Sequence, residues 1–488
     1  MATGFKVGEV RDTSAIVWTR LTEREHPNPK SAPGPTFHYP DGTTVVPNMY
    51  DRPKRHREVI SKLTYPTKGG VRDIRFAAPG TAGEVRVLHE YKEPNTRNAS
   101  NSGPQVGPAK GQSFPKFITH RKETCWHPVD PDADYIHQFR LTALKPGTVY
   151  DVTIESRGPD GKPGATRKGT FRTADHAGDP KPVTFTVSTG QAYRHQDRKD
   201  GFQIYPTQLA SQNRPDFFVH TGDILYYDAL AKTPELAHWH WQRTYSRPTN
   251  IQFHEQIPSY FIKDDHDTWI NDCWPSMNAP SMYKFTFQQG LDIFKQQVPM
   301  GDKTYRTVRW GKDLQIWLVE GRDFRSANNA PDGPGKTIWG KEQMAWLQET
   351  FAWSDATFRI LISPTPIVGP DRSNKRDNHS NKVFQHEGDQ VRAFLSQYKN
   401  AYVVCGDRHW QFHSVHPKTG LHEFSCGPAS DMHAGGWSQK DFRDSHHQFL
   451  RVKGGYLSVN VDRPEGKPTL TFRFHGVDGK VHYEKALQ

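Results

Sequence analysis

The sequence predicts an all-β sandwich followed by an α/β domain. Three observations carry this expectation. Short alternating apolar runs separated by Pro/Gly turns fill residues 1–175. After a polar, Pro-containing linker the rhythm changes to strand, helix, strand. From residue 183 onward, nearly every buried apolar run ends in a cluster of polar side chains.

In chain order, residues 5–21 give two β-rich runs around a polar turn, and residues 85–91 give a third. Residues 135–141 and 149–154 flank a turn at Lys145-Pro146-Gly147, and residues 168–173 close the set. The stretch from 141 to 174 (LTALKPGTVYDVTI…GTFRTA) resembles a fibronectin type III module. Two insertions, at 26–75 and 94–130, are rich in Pro, Gly, Lys, Arg and His and read as long loops. Beyond the linker at 174–182, a strand at 183–188 precedes helical spacing of Ile204, Tyr205 and Leu209, then a strand at 216–220. Such units build parallel sheets. Further strands are expected at 260–262, 314–319, 358–362 and 402–405. Helices are expected at 341–351 and 389–398, and a return to strands between 456 and 483.

A chain of 488 residues implies two or three domains. With 13 Trp, 18 Tyr and 27 Phe it carries bulky core material, which excludes disorder throughout. The +11 net charge favours anionic partners such as phosphate or sulfate esters, nucleic acid or acidic polymers, without choosing among them. No basic stripe interleaved with aromatics is present, so nucleic acid is not the expected partner. Cys125, Cys273, Cys405 and Cys426 form no CxxC pair, which excludes a zinc ribbon and leaves free thiols as the default. No run of 18 apolar residues offers a membrane span. The first residues lead straight into a strand and form no signal peptide; the expectation is a cytoplasmic chain or one whose export signal has been trimmed.

The chemistry is expected at the strand ends. They carry Ser188-Thr189-Gly190-Gln191, Gly222-Asp223 through Asp228, and Asp264-Asp265-His266-Asp267 followed by Asn271-Asp272. Later ends carry Glu320 with Arg322, Asp323 and Arg325, then Ser363-Pro364-Thr365-Pro366, then Gly406-Asp407-Arg408-His409-Trp410. In open α/β sheets ligands bind beyond the carboxyl ends of strands, so these clusters are expected to share one crevice. Carboxylates packed together repel unless cations lie between them. Oxygen donors with one or two imidazoles suit calcium, magnesium, manganese, iron or zinc. Two such ions can hold both the attacking and leaving oxygens of an in-line displacement, and arginines can pair with a tetrahedral anion. Alone, each Gly-Asp is an ordinary turn and each acidic run a solvated one; their order along the chain carries the reading.

That order, GD…(D/N)H(D/E)…GxxH, is similar to the metallophosphoesterase pattern, and its details resemble the PhoD-like (alkaline phosphatase D) branch. YFIKDDHDTWIND at 260–272 resembles DDHD-x-x-x-ND, and Glu320-x-Arg322-x-x-Arg325 resembles D-T-R-x-x-R with Glu for Asp. TIWGKEQMAWL at 337–347 and the GDRHW of 406–410 match the branch's helix start and its GD-x-HW. The resemblance implies a four-layer α/β/β/α catalytic domain over 183–488, behind the 1–175 sandwich. It implies a phosphodiesterase or alkaline phosphatase in which a metal-activated water attacks the ester. Asp223 would bridge two metals, and Tyr226 and His409 would bind the first, expected to be iron. Asp265 and Asp407 would hold the second, expected to be calcium. His266 would protonate the leaving oxygen, and Arg322 and Arg325 would grip the anion. Relatives are commonly periplasmic or secreted.

One departure stands out: Gly190 occupies the position where the branch usually has a cysteine ligand. This leaves zinc, manganese or magnesium open at the first position, with Asp197, Asp200 or His195 as substitute ligands. A sulfate ester, or a catalytically retired protein that binds polysaccharide or the cell surface, stays open as the alternative. The expected partner is an anionic ester, including a polymer-linked one. Of the 25 histidines, His238, His240, His413, His416, His422, His433, His446 and His447 are candidates for lining the pocket. His433 is foremost among them because it follows a strand and precedes Gly435-Gly436.

Overall fold

Alternation along the buried strands decides the layers. In the strand Val183–Ser188, Val183, Phe185 and Val187 face the interior, while Thr186 turns to the helix Ile204–Ala210 and donates to Gln208 Oε1 at 2.6 Å. In Phe217–His220, Phe217 and Val219 face the same interior, and Phe218 packs outward on Tyr205 and Phe253. A strand with one apolar face toward a second sheet and one toward helices must lie in the middle of a layered stack.

The computed structural model describes residues 1–48, 55–95 and 116–488. Among them, two large sheets face each other. One has nine strands in the order 481–487, 469–475, 456–462, 183–188, 217–220, 259–261, 5–8, 15–20 and 136–141. The other has seven, in the order 306–310, 314–318, 358–363, 401–405, 422–426, 411–415 and 447–451. Stacked rings bridge the gap between them: Phe217 on Trp310, with centroids 4.6 Å apart, and Phe424 on Phe472, at 3.8 Å. The helix Ile204–Ala210 covers the first sheet. Gly340–Trp353 and Gln385–Leu395 cover the second through Leu347, Phe351, Val391 and Leu395. This is the four-layer α/β/β/α stack, with helices outermost.

The expected strands at 183–188, 216–220, 260–262, 314–319, 358–362 and 402–405 all form, and the neighbours within each sheet run parallel. Three α-helices and four strands beyond residue 183 lay outside the sequence reading: the helices Pro234–Tyr245, Pro248–His254 and Phe287–Gln297, and the strands Arg306–Trp310, Gln411–Val415, His422–Cys426 and His447–Arg451.

The amino-terminal strands divide between sheets. Residues 84–94, 117–123, 149–157 and 163–172 make a sheet of their own. Residues 5–8, 15–20 and 136–141 extend the nine-stranded sheet, where Gly8 pairs with Ser259 in parallel. Their apolar faces join the central core, so hydrogen bonding and burial run without a break across the linker at 174–182. A buried Arg306–Glu9 ion pair at 2.6 Å and a Tyr260 hydroxyl donating to the Val10 carbonyl fasten this region to both large sheets.

The insertion at 26–75 is more than a loop. It forms a small sheet from Thr36–His38, Thr44–Val45 and Lys62–Thr64. Phe37, Tyr39, Ile60, Ile74 and Phe76 bury themselves against Leu230, Leu236 and Trp239 near the helix Pro234–Tyr245. Its scattered apolar residues show no period because they come from short strands folded onto another element. Of the second insertion, residues 117–123 form a strand and residues 96–115 lie outside the described ones. All four cysteines are free; Cys125 is exposed and the rest are buried.

Candidate metal centre

The strand ends meet because their turns hydrogen-bond one another. Thr221 N donates to Ser188 O (3.1 Å), Gln191 N to Asp223 O (2.8 Å) and Tyr227 N to His266 O (3.0 Å). Thr189 Oγ1 donates to Gly222 O at 3.1 Å and accepts from Asp407 N at 3.3 Å. A Cβ on Gly222 would lie 2.6 Å from Asp264 Cβ, and one on Gly406 would lie 2.4 Å from Thr221 Oγ1. Both glycines are there because the turns approach too closely for any side chain. Asp223 and Asp407, the residues that follow them, hold φ of +55° and +59°. Left-handed backbone at two non-glycine residues facing one crevice is strain of the kind that collects at functional sites.

Asp223, Asp265 and His266 bring donor atoms within 4.8 Å of one another, all buried. Tyr226 Oη donates to Asp223 Oδ2 at 3.0 Å and lies 3.2 Å from His409 Nε2. His409 Nε2 is itself 3.3 Å from Asp223 Oδ2. Asp407 stands close enough to Asp223, Asp264 and Asp265 to repel them electrostatically. The structure therefore brings Asp223, Tyr226, Asp265, His266, Asp407 and His409 into one crevice.

The crowding shows in the acid–base chemistry. Burial, with Asp265, Asp264 and Asp407 adding, pushes the Asp223 carboxyl well above the usual range against the pull of His266. Burial likewise pushes Asp407 up to about 6, with Arg408 opposing and Asp377 adding. At Asp265 burial works upward too, but His266, Arg322, Lys375 and the Asp272 N–H outweigh it and hold the carboxyl below its ordinary value. Burial, reinforced by His266 and Arg408, lowers His409 to about 3, so its ring is neutral and free to ligate. His266 is opposite: burial favours the neutral ring, but Asp228, Asp265 and Asp223 outweigh it and keep the imidazolium.

The residues fit a cation. Asp223 Oδ1 is buried and receives no hydrogen bond among the described residues. A carboxylate oxygen in that state lacks the partner that burial requires, and a metal ion supplies one. Carboxylates, a phenol and neutral imidazole form a hard-to-borderline donor set.

Arg322 and Arg325 stand behind the crevice, not at its mouth. Arg322 is fully buried, paired with Asp264 at 2.6 Å, and donates to the Cys273 carbonyl. Arg325 donates to the Gly321 and Asp377 carbonyls and to Asn328 Oδ1. Their work in this geometry is to brace the turn at 264–267 and the loop around Asp377. Glu320 belongs to the same support: it is paired with Lys263 at 2.8 Å, and Gln343 of the helix Gly340–Trp353 pins its backbone.

Three groups at the site were not singled out as ligands, acids or anion contacts from sequence. Asp228 Oδ2 meets His266 Nδ1 at 2.5 Å, and Asp228 Oδ1 accepts from Asn271 N at 2.8 Å. Its place five residues after Asp223 was the available signal. Lys375 pairs with Asp272 at 2.9 Å and Asp377 at 3.4 Å, reaching in from a loop with no sequence signature. His433, read only as a pocket-lining candidate, lies 2.5 Å from Tyr226 Oη. Of the other lining candidates, His413 bonds His422 and Tyr483 in a separate cluster, His416 bonds Thr419, and His447 accepts from Arg443 N. His446 bonds Ser445; His238 meets Gln297 and His240 meets Arg243 near the helix Pro234–Tyr245.

Comparison with known proteins agrees with this fold. A family model described as PhoD-like phosphatase matches residues 185–463. A solved structure titled "Structure of PhoD" superposes with a TM-score of 0.69 at 14% identity, covering 100% of this chain and 90% of that one. Purple acid phosphatase PPD1 from yellow lupin (Lupinus luteus) seeds superposes at 0.58 with 11% identity, covering 99% and 73%. At these identities the two structures speak for the fold. No curated protein sequence matches the chain.

Proposed function

The chain belongs to the PhoD-like phosphatase family, and with it to the metallophosphoesterases; on that premise we propose that it is a metal-dependent hydrolase of phosphate esters, acting on diesters. The observation that carries the metal dependence is Asp223: a buried carboxylate, crowded by three others, with one oxygen that no hydrogen bond from the described residues reaches. Asp223, Tyr226 and His409 would hold the first metal, and Asp223, Asp265 and Asp407 the second. When bound, the metals supply Lewis acidity and a nucleophile at neutral pH.

The rest falls to the chain's own side chains. His266, kept cationic by Asp228, Asp265 and Asp223, faces the crevice as the proton donor to the leaving oxygen. Asp228 fixes its ring through Nδ1, leaving Nε2 for that transfer. Arg322 acts through Asp264, orienting the turn that bears Asp265 and His266. The preference for a diester follows from charge. Arg322 and Arg325 are engaged with protein oxygens, and Lys375 is shared between Asp272 and Asp377. A singly charged diester asks less of this ring than a dianionic monoester does. Among the described residues no helix is long and apolar enough to cross a membrane. Export to a periplasmic or extracellular setting, and an anionic ester carried on a polymer, belong to the same proposal.

The test compares bis-p-nitrophenyl phosphate, p-nitrophenyl phosphate and p-nitrophenyl sulfate at equal metal supplementation. The diester is expected to give the highest kcat/KM. Faster turnover of the sulfate ester would overturn the substrate class, and faster turnover of the monoester would overturn the charge argument.

A further inference from the structure

We propose that His433 is a ligand of the first metal in this chain, standing where a side chain at position 190 would otherwise reach, and that His195 is its positioning residue. The inference rests on the metal-centre reading above and adds a donor that neither the strand-end pattern nor the family match identifies.

Gly190 contributes only backbone. Its N–H donates to Gly222 O at 3.3 Å, its carbonyl accepts from Ala429 N at 3.2 Å, and its φ is +50°. A Cβ built on it would meet His433 Cδ2 at 3.1 Å and His409 Cδ2 and Nε2 at 3.2 and 3.3 Å. Two imidazole edges therefore close over the glycine and take up the space its side chain would occupy.

His433 is held there by the backbone. It ends the short 3-10 turn Asp431–His433, and the segment just before that turn is stitched to the Gly190 loop by the Thr189–Pro428 bridge and by Ala429 N to Thr189 O at 3.1 Å. Ser430 Oγ donates to the His195 carbonyl at 2.5 Å, which ties the 3-10 turn Tyr193–His195 into the same knot.

The donor atoms then converge. His433 Nε2 is 2.5 Å from Tyr226 Oη, which is 3.0 Å from Asp223 Oδ2 and 3.2 Å from His409 Nε2. The rings of His409 and His433 have centroids 4.0 Å apart. The other nitrogen of His433, Nδ1, meets His195 Nδ1 at 2.7 Å. An imidazole with one nitrogen aimed at a donor cluster and the other held by a fixed partner is the arrangement metal-binding histidines adopt, because the second contact sets tautomer and ring orientation. One carboxylate, one phenol and two imidazoles make a borderline site suited to zinc or ferric iron. Of the other substitutes for a ligand at 190, Asp200 pairs with Arg198 at 2.7 Å and Asp197 Oδ1 accepts from Gln203 N at 2.8 Å, and among the described residues neither hydrogen-bonds Asp223 or His409.

The experiment strips the full chain with a chelator and reconstitutes it with zinc alone. Bound zinc is counted by mass spectrometry after desalting, and affinity is read by competition with a chromophoric chelator. His433→Ala is expected to lose one tight equivalent, its first-site affinity falling about 100-fold or more, while His195→Ala keeps the equivalent but weakens it about 10–100-fold. The visible bands of cobalt(II)-loaded protein are expected to shift in His433→Ala. His433→Gln serves as a second variant, and circular dichroism confirms the fold of each. His433→Ala binding as many zinc ions as the wild type, at affinity within threefold, would overturn the ligand assignment while leaving the metal-centre reading intact. A wild-type chain that binds no zinc at all would overturn both.

Discussion

Arg322 separates two accounts of the site. It was expected from sequence to grip the substrate, yet it lies fully buried beside Asp264, itself 0% exposed, with Nη2 2.6 Å from Oδ1. Replacing it by Met leaves the Asp264 carboxylate without the one cation that pairs with it among the described residues. Removing one partner of a buried pair costs about 3–5 kcal/mol, because the surviving charge stays desolvated or must bind a proton. Burial already pushes Asp264 well above the usual carboxylate range, which places the expected loss toward the lower end. Replacing both partners, in Arg322→Met with Asp264→Leu, removes the orphaned charge and is expected to recover more than half of the loss, giving a coupling of about 2 kcal/mol. Urea unfolding of the four proteins, with m-values compared, reads this directly. An Arg322→Met variant as stable as the wild type, losing only turnover, would refute the reasoning and return the guanidinium to the substrate.

Three further outcomes follow from the geometry. His266→Asn is expected to lower kcat about 100-fold for esters with an alkoxide leaving group and far less for p-nitrophenolate, which needs no proton; equal losses for both would remove the acid role. Gly222→Ala places a Cβ 2.6 Å from Asp264 Cβ at φ +100°, so a loss of at least about 2 kcal/mol in unfolding free energy is expected, and a neutral result would mean the turns can separate. His413 is held at about 3 by burial, with His422 adding. The unfolded chain therefore binds more protons below pH 6.5, and stability falls as pH drops from there toward 3. In chelated protein the stability difference between pH 7 and pH 5.5 should shrink by about 1 kcal/mol in His413→Phe, and an unchanged difference would contradict the assignment.

The legible part of the fold was its periodicity. Strands such as Val183–Ser188 and Phe358–Ser363 read clearly because they are buried on both faces and bounded by turns. The helix Pro234–Tyr245 did not, since Trp, His and Arg line faces buried by other parts of the chain, which blurs the apolar stripe. The sheet from the insertion at 26–75 escaped because its apolar residues gain meaning only against Trp239 and Leu236. In the site, the residues legible in sequence were those fixed to strand ends. Asp223, Asp265, His266, Asp407 and His409 are carried by short turns whose position the strands dictate. Lys375 and His433 come from loops placed by long-range hydrogen bonds, and no local pattern encodes those. The arginines were misplaced for a different reason: a charged side chain beside acidic ones looks the same in sequence whether it faces substrate or braces the carboxylates from behind.

The central claim is that the carboxylate crevice works only with metal in it. Its most direct test is hydrolysis of bis-p-nitrophenyl phosphate by the purified chain, after chelation and after metal restoration, beside Asp223→Ala treated in the same way. The account expects turnover that chelation abolishes and metal restores in the wild type, with no recovery in Asp223→Ala. Turnover that survives chelation, or that Asp223→Ala retains, would contradict it.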